Sequence, residues 1–267
     1  MSQDRVFDGL SQRFQRTIYA NNDPRGAIRL HITQDDLNQH FQSIPPTHQV
    51  LDIGAGLGQM SLWLAEQGWN VTLSEPSEEM LLQAQALIQN SADAHRVEFL
   101  QHSIQTLPTH YAQQFDLIVC HAVLEWLAEP QQTLQTLLNY LKPEGYLSLM
   151  FFNRTATEFR HLIAGNLDAV LEQRLASDGK KGLAPISPLL PSEVLHWLPD
   201  LGLELVQWSG VRCFYDYAYH TVRKKMPLDK VLKLERHYSQ LEPWRSLARY
   251  QHFILKKLTP DPLDPLA

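Results

Sequence analysis

The sequence predicts an α/β fold: a mostly parallel seven-stranded sheet with helices on both faces. Three observations predict it. Short apolar runs alternate with segments of helical periodicity across residues 49–152, the pattern of successive βαβ units. The first of those runs ends in a glycine-rich turn that opens a helix. No stretch approaches the ~18 consecutive apolar residues of a membrane span, so the 44% hydrophobic residues of this 267-residue chain are available to fill one large core.

The elements follow in order. Phe7, Leu10, Phe14 and Ile18 recur at helical spacing and predict a first helix. Asn21-Asn22-Asp23-Pro24 breaks it, and Ile28, Ile32 and Leu37 mark a second helix, closed before Pro45-Pro46. Residues 1–45 thus form an N-terminal helical segment. A core over 46–152 starts with the strand Val50-Leu51-Asp52-Ile53 and a helix over 59–67, stopped by Gly68. Val71-Thr72-Leu73-Ser74 is the second strand. Ser77, followed by Glu78 and Glu79, suits the N-cap of a helix running to about Asn90. Strands at 97–100 and 115–120, a helix at 133–141, the turn Lys142-Pro143-Glu144-Gly145 and a fifth strand at 146–152 complete the core.

Beyond Phe152 the rhythm lapses. Residues 153–198, interrupted by Pro185, Pro188 and Pro191, read as a helical insertion over the active side of the same domain. Strands at 203–211 and 250–257, with a helix at about 230–239 between them, occupy a C-terminal unit over 199–257, and 258–267 is a tail.

Charge is unevenly placed. The net charge is -6, yet residues 1–152 hold 7 Lys+Arg against 16 Asp+Glu, whereas 153–267 hold 16 against 13. The basic balance of the second part suits an anionic partner. The start, MSQDRVFDGLSQRF, has no apolar leader run, and the two cysteines, Cys120 and Cys213, have no CxxC partner. Both features fit reduced thiols in the cytoplasm. The histidines form no HxH or HxxxH pair, so no metal is expected.

Chemistry concentrates at Asp52-Ile53-Gly54-Ala55-Gly56-Leu57-Gly58. Glycines there let the chain turn tightly and approach a ligand closely. Glu75 ends the next strand, 21 residues beyond Gly54, where an acid accepts hydrogen bonds from ribose hydroxyls. A dinucleotide site competes for this pattern, but its fingerprint wants glycine where Gln59 stands. The turn resembles the nucleoside-binding motif of class I S-adenosylmethionine-dependent methyltransferases, which are Rossmann-like.

The resemblance narrows along the rest of the chain. Asp4-Arg5-Val6-Phe7-Asp8, Gly26-Ala27-Ile28-Arg29, His121-Ala122-Val123-Leu124-Glu125-Trp126, Leu147-Ser148-Leu149-Met150-Phe151-Phe152-Asn153, Ala164-Gly165-Asn166, Gly210-Val211-Arg212 with Asp216-Tyr217, and Leu241-Glu242-Pro243 with Ala248-Arg249-Tyr250 together resemble the bacterial tRNA 5-carboxymethoxyuridine methyltransferases. That resemblance implies methyl transfer from S-adenosylmethionine to the carboxylate of a modified wobble uridine, with the tRNA anticodon stem-loop as partner. It implies cofactor contacts at Arg29, Gly54, Ala55, Glu75, Ile104, Gln105 and His121, with Gly56 in the same turn. Gln101-His102-Ser103-Ile104-Gln105 lacks the acid that many such enzymes use for adenine, so backbone and Gln105 are expected there.

No catalytic base is expected, because a carboxylate nucleophile is ionised at neutral pH; His121 reads as a cofactor or positioning contact. Arginine suits both a carboxylate and an RNA backbone. Arg154, Arg212, Arg245 and Arg249 are the candidates, and the resemblance favours Arg212 and Arg249. Arg223-Lys224-Lys225 and Lys180-Lys181 suit phosphates, and Phe152, Tyr215, Tyr217 and Tyr219 suit stacking with a splayed base. Two other functions compete: a methyltransferase for small molecules, with a closed apolar pocket, and a binding protein that has lost catalysis. Intact Gly54, Gly56, Gly58 and Glu75 oppose the second.

Overall fold

The structure is a computed structural model that describes residues 4, 24–41, 48–175 and 185–259. The first predicted helix, Lys180-Lys181 and the tail beyond 259 lie outside the described residues. The elements are α1 (Pro24–Phe41), β1 (Gln49–Ile53), α2 (Gln59–Glu66), β2 (Asn70–Ser74), α3 (Glu78–Ile88), β3 (Val97–Leu100), β4 (Phe115–His121), α4 (Pro130–Leu137) and β5 (Leu141–Phe152). They continue with α5 (Arg154–Ile163), α6 (Leu167–Leu171), α7 (Pro191–Trp197), β6 (Leu203–Val211), α8 (His220–Arg223), α9 (Leu228–Tyr238), α10 (Trp244–Leu247) and β7 (Tyr250–Lys257).

Seven strands form one sheet in the order β3-β2-β1-β4-β5-β7-β6. Strands β1 to β5 pair in parallel, and β7 runs antiparallel between β5 and β6. From β1 the chain winds outward to β3, then returns to β4 on the other side of β1. The crevice beyond the carboxyl ends of β1 and β4 is therefore the switch point at which such sheets bind ligands.

Each face has its own core. Leu37 of α1 and Met60 and Leu64 of α2 pack on Val50, Leu117, Val119 and Ile254. Leu134 and Leu137 of α4 and Val194 of α7 cover Leu51, Ile53, Ile118, Phe151 and Phe253 on the opposite face. Each fully buried side chain of this kind contributes roughly 2 kcal/mol. Near the β3 edge, α3 sets Leu81, Ala84 and Ile88 against Leu73. Ser77 caps that helix as predicted, accepting from the Met80 N–H.

Two local predictions are corrected. The helix predicted at 133–141 forms at Pro130–Leu137, because Pro130 presets the first helical turn and Leu141 is drawn into the sheet opposite Phe115. The turn predicted at 142–145 lies inside β5 as a bulge: Phe115 pairs with Leu141 and Leu117 with Tyr146, so the intervening four residues loop out. Pro143 has no N–H to give a ladder, and Glu144 sits at φ 63°. Both cysteines are buried free thiols.

Candidate active site

A two-lobed cleft opens at the switch point. Arg29, Gly54, Ala55, Gly56, Glu75 and His121 line the first lobe, with Glu125, Phe152 and Tyr250. Ile104, Gln105, Pro76, Val123 and Leu127 line the second. Gly54, Glu75, Ala122 and Trp126 belong to both. All eight residues expected at a cofactor thus border one cleft, although they come from α1, from the end of β4 and from the turns after β1, β2 and β3.

The turn after β1 shows why glycines are needed. Gly54 has φ +66°, and a Cβ there would lie 2.6 Å from Val123 Cγ2. Gly56 has φ +60°, and its absent Cβ would meet nothing within 4 Å. Gly54 is therefore required by packing, whereas Gly56 leaves open space. Glu75 is buried and anchored: Oε2 accepts from the Gly56 N–H at 2.8 Å and Oε1 from the Ser77 N–H at 3.0 Å. A carboxylate has about four acceptor sites, and these two bonds occupy one on each oxygen.

Charges gather in the first lobe. Asp52 accepts from Ser61 Oγ at 2.5 Å, and burial, reinforced by the Glu75 charge, pushes its carboxyl up to about 6. Burial pushes Glu125 up to about 8 against the pull of backbone hydrogen bonds and Arg29. Its Oε2 is buried and has no hydrogen-bond partner among the described residues. Burial also lowers the Arg29 guanidinium, and burial, reinforced by the Arg29 charge, holds His121 far below the usual imidazole range, so His121 is neutral. In the second lobe Asp4 supplies an acid the strand turn lacks. Its carboxylate accepts from Gln105 Nε2 and from the Ala128 N–H, each at 2.8 Å.

The candidate arginines differ sharply. Phe152 continues into a neighbouring groove lined by Thr157, Arg160, His161, Asn166 and Arg249. Arg249 lies 4.2 Å over the Phe152 ring, and burial lowers its guanidinium to about 10 despite the Asp216 charge. Among the described residues neither Arg249 nor Arg160 makes an ion pair. Arg212, at φ 65°, is held by Asp216 at 2.5 and 2.7 Å. Although burial opposes both charges, each partner keeps the other ionised: Asp216 stays below the usual carboxylate range and Arg212 above its own. Arg245 pairs with Glu242 at 2.7 Å and covers Trp208 at 4.0 Å. Arg154 opens α5 and borders neither the cleft nor this groove.

Of the stacking candidates, Tyr215 is core, and the Tyr217 hydroxyl donates to the Leu247 carbonyl at 2.5 Å. Tyr219 is 82% exposed, and Phe152 alone among the four faces both cavities. Glu125, Asp4 and Arg160 were not singled out in the sequence. A glutamate inside the apolar run Val123-Leu124-Glu125-Trp126 was the available signal for the first.

A family model described as a methyltransferase domain matches residues 51–149. The chain is 34% identical over 256 residues to the tRNA 5-carboxymethoxyuridine methyltransferase of Escherichia coli strain K12, covering 96% of this chain and 97% of that one. It belongs to that family of S-adenosylmethionine-dependent methyltransferases. The enzyme is also 29% identical over 167 residues to the ubiquinone biosynthesis O-methyltransferase of Xanthomonas axonopodis pv. citri, covering 62% of this chain and 67% of that one. Its fold matches magnesium protoporphyrin IX methyltransferase from Synechocystis PCC 6803, solved with S-adenosylhomocysteine, at a TM-score of 0.64 and 16% identity over 94% and 96% of the two chains. The cyclase SpnF matches at 0.60 and 18% identity, over 96% of this chain and 98% of that one. Since a cyclase shares the frame, the fold alone does not fix the chemistry. Among the described residues no helix is long and apolar enough to cross a membrane, and no group of side chains suits a metal.

Proposed function

We propose that this enzyme methylates the carboxylate of 5-carboxymethoxyuridine at the wobble position of tRNA, giving the methyl ester. The observation that carries the reading is Arg249, a half-buried guanidinium that makes no ion pair among the described residues and lies over the Phe152 ring shared by cleft and groove. It is placed to receive the substrate's carboxylate at the border of the cofactor cleft. Arg160 adds a second cation in the groove, and exposed Lys224 and Lys225 suit phosphates of the anticodon stem-loop. Arg212, already neutralised by Asp216, supports the site as scaffold. Residues 153–198 act as the substrate-side insertion of a single cytoplasmic domain.

The cleft fits S-adenosylmethionine. Arg29 is positioned for the methionyl carboxylate, Glu75 for the ribose hydroxyls, and Ile104 and Gln105, with Asp4, for adenine. Gly56 leaves the space a nucleoside needs, and Gly54 and Ala55 bring backbone against it. S-adenosylmethionine supplies an electrophilic methyl group on a sulfonium. The chain's own contribution is alignment. Arg249 orients an oxygen that is already ionised, Phe152 and Trp126 exclude water, and neutral His121 positions without abstracting a proton.

The test uses total tRNA from cells lacking the enzyme. Purified protein and methyl-labelled S-adenosylmethionine are added, and digested nucleosides are read by mass spectrometry. An alkali-labile methyl ester of carboxymethoxyuridine is expected. No label, with cofactor binding and substrate-bearing tRNA both verified, would overturn the tRNA reading in favour of a small-molecule acceptor.

A further inference from the structure

Beneath α1 a line of polar side chains leads from the cleft into the core. His121 Nε2 lies 2.8 Å from Ser148 Oγ, and Ser148 Oγ lies 2.8 Å from His252 Nε2. His252 Nδ1 lies 2.7 Å from Asp36 Oδ2. The second Asp36 oxygen accepts from Arg236 Nη1 and from Gln207 Nε2. Asp36, Ser148 and His252 are 0% exposed, so water cannot replace these partners. The line crosses three strands, β4, β5 and β7, and ends on α1 and α9.

Although burial opposes it, the hydrogen bonds from His252 and Arg236 keep Asp36 ionised, and proton counting then leaves two arrangements. A serine hydroxyl has one proton, so between two ring nitrogens it donates to one and accepts from the other. In the first, His252 Nδ1–H donates to Asp36, Ser148 donates to His252 Nε2, and His121 Nε2–H donates to Ser148. In the second, a doubly protonated His252 donates to Ser148, Ser148 donates to His121 Nε2, and the His121 proton sits on Nδ1. The second adds a positive charge to a dry cluster in which Arg236 already faces Asp36 and Arg29 stands on the His121 side. The first adds none. From the packed elements the charged groups facing the line are Arg29 and Asp36 of α1 and Arg236 of α9, with the half-exposed Asp35 of α1 3.8 Å from Arg236 on its outer side; Gln207 of β6 is neutral and touches His40 of α1 at 2.6 Å.

We propose that Ser148, His252 and Asp36 are positioning residues that fix His121 as the Nε2–H tautomer, so that Nδ1 serves the cleft as an acceptor for a donor group of the bound cofactor. Burial of His121, which keeps it neutral, agrees with this. The cofactor contact rests on the function proposed above; the tautomer does not.

The experiment is long-range proton–nitrogen NMR on the full chain labelled with ¹⁵N-histidine, the His121 signals being assigned with His121→Asn. Wild type should carry the His121 proton on Nε2. Ser148→Ala strips that proton of its acceptor and should populate the Nδ1–H form, while Ser148→Thr, which keeps the hydroxyl, should restore the original signals. Where Ser148→Ala does not fold, Ser148→Cys, a far weaker partner, should shift the same signals. S-adenosylhomocysteine affinity should fall roughly three- to tenfold in Ser148→Ala, as for one lost hydrogen bond, and recover in Ser148→Thr. An Nδ1–H wild type, or a tautomer indifferent to Ser148→Ala, would overturn the relay. A tautomer that moves without any change in affinity would overturn the cofactor contact. Failure to methylate tRNA would leave the NMR result standing and overturn only the substrate reading.

Discussion

Arg249 lays its guanidinium 4.2 Å from the centre of the Phe152 ring, and that ring closes both the cleft and the groove beside it. The stacking fixes the plane of the cation without consuming its N–H donors. Those donors are the asset of an arginine facing a carboxylate.

Replacing Arg249 with Gln should therefore lower kcat/KM for tRNA by about 10- to 100-fold, the scale of a lost charge-assisted hydrogen bond. S-adenosylhomocysteine should bind within about twofold of wild type. Steady-state methylation and calorimetry read the two quantities. Unchanged turnover of tRNA would remove Arg249 from the substrate site.

Asp216 and Arg212 behave as one buried unit. Asp216→Ala should destabilise the fold by about 3–5 kcal/mol, because it strands a guanidinium away from water. Replacing both, as Arg212→Met with Asp216→Leu, should recover most of that loss. Urea denaturation of the three variants measures it. A single variant as stable as wild type would mean that solvent reaches Arg212.

Glu125 makes stability pH-dependent. Its folded pKa, about 8, lies above the ordinary carboxyl value of 4.5 expected for the unfolded chain. The folded state thus holds a proton that the unfolded state has lost, and stability from this group declines as pH rises from about 4.5 to about 8. Glu125→Gln should abolish that decline, an effect of up to a few kcal/mol. Thermal melts across pH 5 to 9 decide it (roughly the window set by the two pKa values). Parallel profiles for the two proteins would place an ionised carboxylate at this position.

The two glycines separate packing from binding. Gly54→Ala drives a methyl group into Val123 and should cost several kcal/mol through overpacking and left-handed strain. Gly56→Ala meets no neighbour and should cost only about 1–2 kcal/mol, the price of the backbone conformation. Its methyl group would occupy ligand space, so S-adenosylhomocysteine affinity should fall by more than tenfold at nearly native stability. Melting curves with and without the ligand distinguish the two.

Legibility in the sequence followed how local each signal is. Strands such as Val71-Thr72-Leu73-Ser74 were readable because periodicity and turn residues act over a few positions. The cofactor cleft was readable because Gly54, Gly56 and Glu75 form a spaced motif, and the resemblance added Arg29 and His121. The end of α4 and the bulge in β5 were not, since pairing of Leu141 with Phe115 across the sheet overrides the local turn chemistry of Pro143 and Gly145. Nor was the line from His121 to Asp36. Its four members stand at positions 36, 121, 148 and 252 and meet only through sheet topology. The difference between Arg212 and Arg249 depends on where one aspartate folds back, which composition does not record.

Helix α1 carries both Arg29 and Asp36, two turns apart on its inward side. One rigid rod therefore holds an arginine of the cleft at one point and the far end of the histidine line at another. A small roll or tilt of that rod would disturb the cleft wall and the histidine line together, from a single element that lies outside the matched residues 51–149.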